Sequence, residues 1–176
     1  MDTHLMIHPQ IRLTMIAYLA KMKRTWSGLS MNRNIIFLKF GGSLITNKDI
    51  PKSPRMATIH DLAHELYSIK KIMPEVKIIL GHGSGSFGHT PANKFNTRQG
   101  VVTKAEWLGF TDVWWQAASL NHIVIEALHQ VNLPAITFPV SSSAITRDGQ
   151  LISWNLEPVK EALAKNLLPV FYGDVA

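Results

Sequence analysis

The chain has 176 residues, enough for one ordinary domain, and its 46% hydrophobic and 17% charged content is normal for a soluble fold. Having no cysteine, it can form neither a disulfide nor a thiolate metal site, which suits a reducing cytoplasm. The net charge of +6 raises the question of nucleic acid, but half of it comes from residues 1–30, where Arg12, Lys21, Lys23 and Arg24 face only Asp2; no basic run interleaved with aromatics follows, so neither a nucleic-acid nor a membrane partner is expected.

Met15 to Ala20 is apolar but too short to span a bilayer, and most of the nearby basic charge follows it rather than preceding it. Residues 1–30 therefore read as neither a signal peptide nor an anchor. Met31, just ahead of the first strand-like run, is the expected natural start, with residues 1–30 a non-native or disordered extension; a short amphipathic helix packed on the domain is the alternative.

From Ile35 the pattern alternates between strand and helix. Ile35 to Phe40 is a short apolar run closed by two glycines, the mark of a buried strand. Ile59, Leu62, Leu66, Ile69 and Met73 recur at helical spacing. A second strand covers Val76 to Leu80, and a long helix runs from about Lys104 to Val131, its apolar stripe interrupted by Asn121. Ala135 to Val140 predicts a third strand. A hairpin follows, turning at Asp148-Gly149 and pairing Ala144 to Thr146 with Leu151 to Ser153. Helix Glu157 to Lys165 and strand Leu168 to Tyr172 complete the order. This succession predicts an α/β fold of three layers, a mainly parallel sheet between helices.

The polar punctuation falls just past the strand ends: Gly41-Gly42-Ser43, the run Gly81 to His89, Ser141 to Ser143, and Gly173-Asp174. Open α/β sheets bind ligands at that edge, so four loops are expected to share one site. The run from Gly81 to His89 reads as an anion cradle, because glycines let backbone N–H groups turn toward a ligand, and His89 adds a donor that titrates near neutrality. Lys39 lies inside an apolar strand and needs a partner at the strand end, for which a phosphate is the candidate, unless it reaches solvent from an edge strand. Gly83 to Gly88 satisfies G-x-G-x-x-G, but no acidic residue ends a following strand where a dinucleotide's ribose would need one; Glu106 opens a helix instead. The Gly-Lys-Ser/Thr of a P-loop is absent as well.

Leu38-Lys39-Phe40-Gly41-Gly42-Ser43 with Lys48, then His82 to His89, then Pro169 to Val175, resemble the amino acid kinase superfamily, and within it the isopentenyl phosphate kinase branch, toward which Ser86-Phe87-Gly88-His89 points. Fosfomycin-type kinases carry a similar loop and are the nearest rival. The resemblance implies an amino acid kinase-like fold cut short in its C-terminal half, with residues 31–176 as the acceptor-binding part of the domain. It implies transfer of the γ-phosphoryl group of ATP, with Mg²⁺, to isopentenyl phosphate, in the alternative mevalonate route to isoprenoids.

The implied roles follow by motif position. Lys39, Lys48 and His89 would be catalytic. Lys39, Gly41, Gly42, Ser43, Gly85 and Asp174 would hold ATP, and Ser84, Gly88, His89 and Gly173 the acceptor phosphate; no residue is assigned to metal. Because a phosphate acceptor is already anionic, such catalysis is mainly charge neutralisation and positioning. Phe110, Trp114, Trp115 and Leu120 are candidates for an apolar tail pocket, although most aromatics at helical spacing are core; adjacent Trp114 and Trp115 cannot both face it. Related kinases are often dimers, so a homodimer is a further implication. Relatives continue past the Gly-Asp-Val at the end of this chain, so a fragment inactive as a kinase is expected. The reading from another class is a non-catalytic module that captures phosphate esters.

Overall fold

The computed structural model describes residues 35–95, 100–147 and 149–175, and no side chains at 89–91, 93 and 94. Expectations about residues 1–30, and about Asp148 in the hairpin turn, lie outside the described residues.

Strand β1 (Ile35–Phe40) leads through a one-turn helix, α1 (Gly42–Ile45), to α2 (Met56–Ile72). Then come β2 (Lys77–His82), α3 (Gly85–Phe95) and the long α4 (Lys104–Gln130). Strand β3 (Ala135–Thr137) precedes a 3₁₀ turn at Val140–Ser142 and the hairpin β4 (Ala144–Arg147) and β5 (Gln150–Trp154). Helix α5 (Glu157–Ala164) and strand β6 (Leu168–Tyr172) complete the order.

Strands β1, β2, β6 and β3 form one parallel sheet in that order. The hairpin is a separate two-stranded sheet with a register shift between Ile145 and Thr146. One face of the main sheet carries the core, in which Phe40, Ile78, Leu80 and Val170 pack against Ile59, Leu66, Leu120, Val124 and Leu128 of α2 and α4. Alternation within each strand puts residues 36, 38 and 40 of β1 on that face and 35, 37 and 39 on the other. Helix α5 buries Val159, Ala162 and Leu163 and packs against β6, while Trp154 of the hairpin meets the Phe171 ring edge-on.

Four details differ from the sequence expectations. β1 is not a fully buried strand: it lies at the sheet edge, and Phe37 is 77% exposed. β2 runs two residues further, through Gly81 and His82, because both stay in register with β1 and β6. β3 ends at Thr137; Phe138 still donates to Val170 O, but Pro139 has no N–H to extend the ladder. Gly42 opens a helical turn where a plain loop was expected. The long helix begins one residue after Thr103, whose hydroxyl accepts from the Glu106 amide while the Glu106 carboxylate accepts from the Thr103 amide, a reciprocal cap.

Candidate active site

The carboxyl ends of β1, β2 and β6 bring three of the expected loops into contact. Gly42 and Gly85 touch backbone to backbone: a Cβ on Gly42 would lie 2.7 Å from the Gly85 nitrogen, and one on Gly85 would lie 2.7 Å from the Gly42 oxygen. Gly85 also has φ +51°, so its conformation as well as its crowding requires glycine. Gly173, after β6, donates its N–H to His82 O at 2.9 Å, and a Cβ there would stand 3.0 Å from the Ser84 nitrogen. The fourth loop joins through Asp174, whose carboxylate accepts from the amides of Ser141 (2.9 Å) and Val175 (2.8 Å).

Thr46 fastens the first two loops together. Its buried hydroxyl donates to Gly42 O at 2.7 Å and accepts from the Ser86 amide at 3.0 Å, and the Ser86 hydroxyl in turn accepts from the Ser53 amide at 3.4 Å. Fixed in this way, the amides of Gly42, Ser43, Ser84 and Gly85 have no hydrogen-bond partner among the described residues. Backbone N–H groups are rarely left unpaired unless solvent or a ligand takes them. Such groups at helix starts attract an anion.

A second network lies beneath the cradle. His82 is 3% exposed, and its ring stacks on Tyr172 with centroids 5.9 Å apart. Its Nδ1 lies 3.1 Å from Gly83 O and its Nε2 3.1 Å from Asn121 Oδ1, while the Asn121 amide nitrogen lies 2.8 Å from Thr137 Oγ1. Burial pushes the His82 pKa down, outweighing the two hydrogen bonds that favour the charged ring. Burial, with the charge of Asp174, pushes the Tyr172 hydroxyl up to about 12. Both rings are thus neutral at neutral pH.

The other expected residues distribute as follows. Gly41 caps α1 by accepting from the Leu44 and Ile45 amides, and Ser43 is exposed on that turn. Gly88 sits in the first turn of α3 against the Ser84 side chain, and His89 follows in the same helix, its side chain outside the described residues. Lys39 is exposed on the outer face of β1, so the premise that burial forces it toward a partner does not hold; the edge-strand alternative describes its surroundings. Lys48 is exposed in the loop after α1. Of the tail-pocket candidates Leu120 is core and Phe110 half-buried, while Trp114 and Trp115 are both exposed. Sequence reasoning missed Thr46, His82 and Asn121; the break Asn121 makes in an apolar stripe was the one visible signal.

Residues 34–176 match the model of the amino acid kinase family. The chain belongs to that family. It is 30% identical over 148 residues to the isopentenyl phosphate kinase of Methanocaldococcus jannaschii, covering 80% of this chain and 56% of that protein. It is 30% identical over 141 residues to the isopentenyl phosphate kinase of Thermoplasma acidophilum, covering 80% and 53%. Among solved structures, an isopentenyl phosphate kinase superposes with a TM-score of 0.73 at 26% identity over 80% of this chain and 58% of that one. The T. acidophilum enzyme in a product complex gives 0.67 at 30% identity, over 80% and 55%. A carbamate kinase from Giardia lamblia, at 13% identity and 0.54, shares the fold alone. The chain spans about half the length of the curated relatives it matches. Among the described residues no helix is long and apolar enough to cross a membrane.

Proposed function

We propose that this chain forms the acceptor side of an isopentenyl phosphate kinase, an enzyme passing the γ-phosphoryl group of ATP to isopentenyl phosphate and releasing ADP and isopentenyl diphosphate. The observation that supports this reading most directly is the group of four unpartnered amides at Gly42, Ser43, Ser84 and Gly85, held at the sheet edge by glycine contacts and Thr46. The similarity to isopentenyl phosphate kinases supports isopentenyl phosphate as the acceptor.

In this reading the amides of Gly42 and Ser43, with Lys39, meet the ATP phosphates, and the glycine loop with His89 meets the acceptor phosphate. Gly85, Gly88 and Gly173 let the loops pack closely: a Cβ on each would meet Gly42 O, the Ser84 side chain and the Ser84 nitrogen in turn. Lys48 reaches in from its exposed loop to neutralise the charge of the moving phosphoryl group. Asp174 acts indirectly, by anchoring the end of β6 to the turn at Ser141, because both its carboxylate oxygens accept backbone amides. A side chain at Gly42 would collide with the Gly85 backbone and force the two loops apart. Mg²⁺ would be carried on the nucleotide's own oxygens and supply charge neutralisation between the two anions; the described residues include no cluster of three His, Asp or Glu that could hold a metal ion.

Formation of isopentenyl diphosphate by the complete gene product tests the reading, with fosfomycin as the rival acceptor. Preference for isopentenyl phosphate, lowered in His89→Ala, is expected. Preference for fosfomycin, or binding of phosphate esters without transfer, would overturn it.

A further inference from the structure

The peptide joining Gly83 to Ser84 decides whether the cradle has its central donor. No peptide bond among the described residues is cis, and in a trans peptide the C=O and the following N–H point in opposite directions. The Gly83 carbonyl is turned inward to the buried His82 ring, 3.1 Å from Nδ1. The Ser84 N–H on the same peptide must therefore point outward. It has no partner there among the described residues, and Gly173 presents no side chain to cover it.

We infer that His82 is a positioning residue: its Nδ1–H holds the Gly83 carbonyl inward and so aims the Ser84 amide at an anionic ligand, with the Asn121 amide turned to accommodate that tautomer. The inference rests on the phosphate-binding reading of the cradle and adds to it a group that touches no ligand. A neutral imidazole has one N–H and one acceptor nitrogen. If the proton sat on Nε2, the bare Nδ1 would oppose the lone pairs of Gly83 O and push the peptide toward reversal. With Oδ1 3.1 Å from Nε2, Asn121 would call for a proton on Nε2, but Gly83 O, 3.1 Å from Nδ1, can only accept; the proton therefore belongs on Nδ1 and the Asn121 amide is reversed, its oxygen and nitrogen exchanging places within the same space. With the NH₂ toward His82, it donates to Nε2, its oxygen accepts the Thr137 hydroxyl proton, and Nδ1 keeps the proton for Gly83 O. Every polar atom of the network then has a partner. Asn121 is 4% exposed in the middle of α4, and Thr137 ends β3, so the aim of one loop peptide is set by a strand and a helix from elsewhere in the fold. The stack on Tyr172 fixes the ring plane.

Two measurements on this chain test the inference. Nitrogen-15 NMR of the imidazoles, read on the unsubstituted protein, is expected to show His82 protonated at Nδ1 and bare at Nε2 at neutral pH; the opposite tautomer would overturn the inference without any variant. The second measurement compares His82→Asn, whose amide nitrogen lies near the place of Nδ1, with His82→Gln, whose amide nitrogen lies near that of Nε2. Calorimetric titration with isopentenyl phosphate and with inorganic phosphate should find the Asn variant close to the unsubstituted chain and the Gln variant weaker by about tenfold, the worth of one hydrogen bond. A merely structural network would instead favour Gln, which keeps the link to Asn121. Equal affinities, or a better Gln variant, would overturn the inference alone. Failure of the unsubstituted chain to bind either ligand would overturn it together with the reading of the site.

Discussion

Thr46 and Ser86 stand forty residues apart in sequence, yet the Ser86 amide donates to the buried Thr46 hydroxyl at 3.0 Å. The same hydroxyl donates to Gly42 O at 2.7 Å, so one side chain ties the turn after β1 to the start of α3. Phosphoryl transfer depends on the spacing of donor and acceptor, and this bond sets the spacing of the loops proposed to hold them.

Thr46→Val keeps the shape and removes the hydroxyl, leaving the Ser86 N–H without its acceptor in a buried place. A loss of about 1–3 kcal/mol in stability is expected, with Thr46→Ser recovering most of it. Urea denaturation of the three proteins measures this; equal stability of the Val variant would show that the bond contributes nothing.

Gly85→Ala meets two obstacles. Its φ of +51° disfavours any side chain by about 1–3 kcal/mol, and the new Cβ would collide with Thr46 Oγ1 and with Gly42 O. Chemical denaturation should report a loss at or above that range. Gly149→Ala is a useful contrast: φ there is +73°, but among the described residues no atom beyond its chain neighbours lies within 4 Å of the added carbon, so only the backbone part of the cost is expected.

The depressed pKa of His82 carries a signed pH dependence. The unfolded chain takes up a proton near the ordinary value of 6.5 while the folded ring resists it, so the unfolded state binds more protons below that pH. Stability is expected to fall as pH drops below 6.5, by at most about 1.4 kcal/mol per unit for this group. Thermal unfolding between pH 7 and pH 5, compared with His82→Asn, isolates the contribution; parallel curves would show that His82 does not titrate in this way.

Lys39 and Lys48 are exposed, so Lys39→Met and Lys48→Met should change stability by no more than about 0.5 kcal/mol. If each neutralises the moving phosphoryl group, the same changes lower the kcat of the complete gene product by about a hundredfold to a thousandfold. A fall in kcat with unchanged thermal unfolding supports the assignment, whereas unchanged kcat contradicts it.

Much of this arrangement was legible in the sequence because it is local. The glycines after β1, β2 and β6 mark the strand ends, and the alternation of apolar runs orders the sheet. Neighbour identity is not local. β1 reads as a buried strand from Ile35, Phe37 and Phe40, and only its pairing with β2 alone among the described residues makes it an edge that leaves Phe37 and Lys39 outside. Likewise, Asn121 is visible as a polar break in a helical stripe, but its partner His82 lies 39 residues away on another element. Thr46 reads as an ordinary turn residue until the fold brings Ser86 to it. Trp114 and Trp115 could not both face one core, yet their spacing gave no sign that both would be exposed.

The most direct measurement is a nitrogen-15 amide NMR titration of this chain with isopentenyl phosphate, set against isopentenol, which has the same tail and no phosphate. Saturable shifts at Ser84, Gly85 and Gly88 with the phosphate ester, and none with the alcohol, are the expected result. Unmoved glycine-loop amides, or the same shifts with isopentenol, would contradict the proposal that this loop holds the acceptor phosphate.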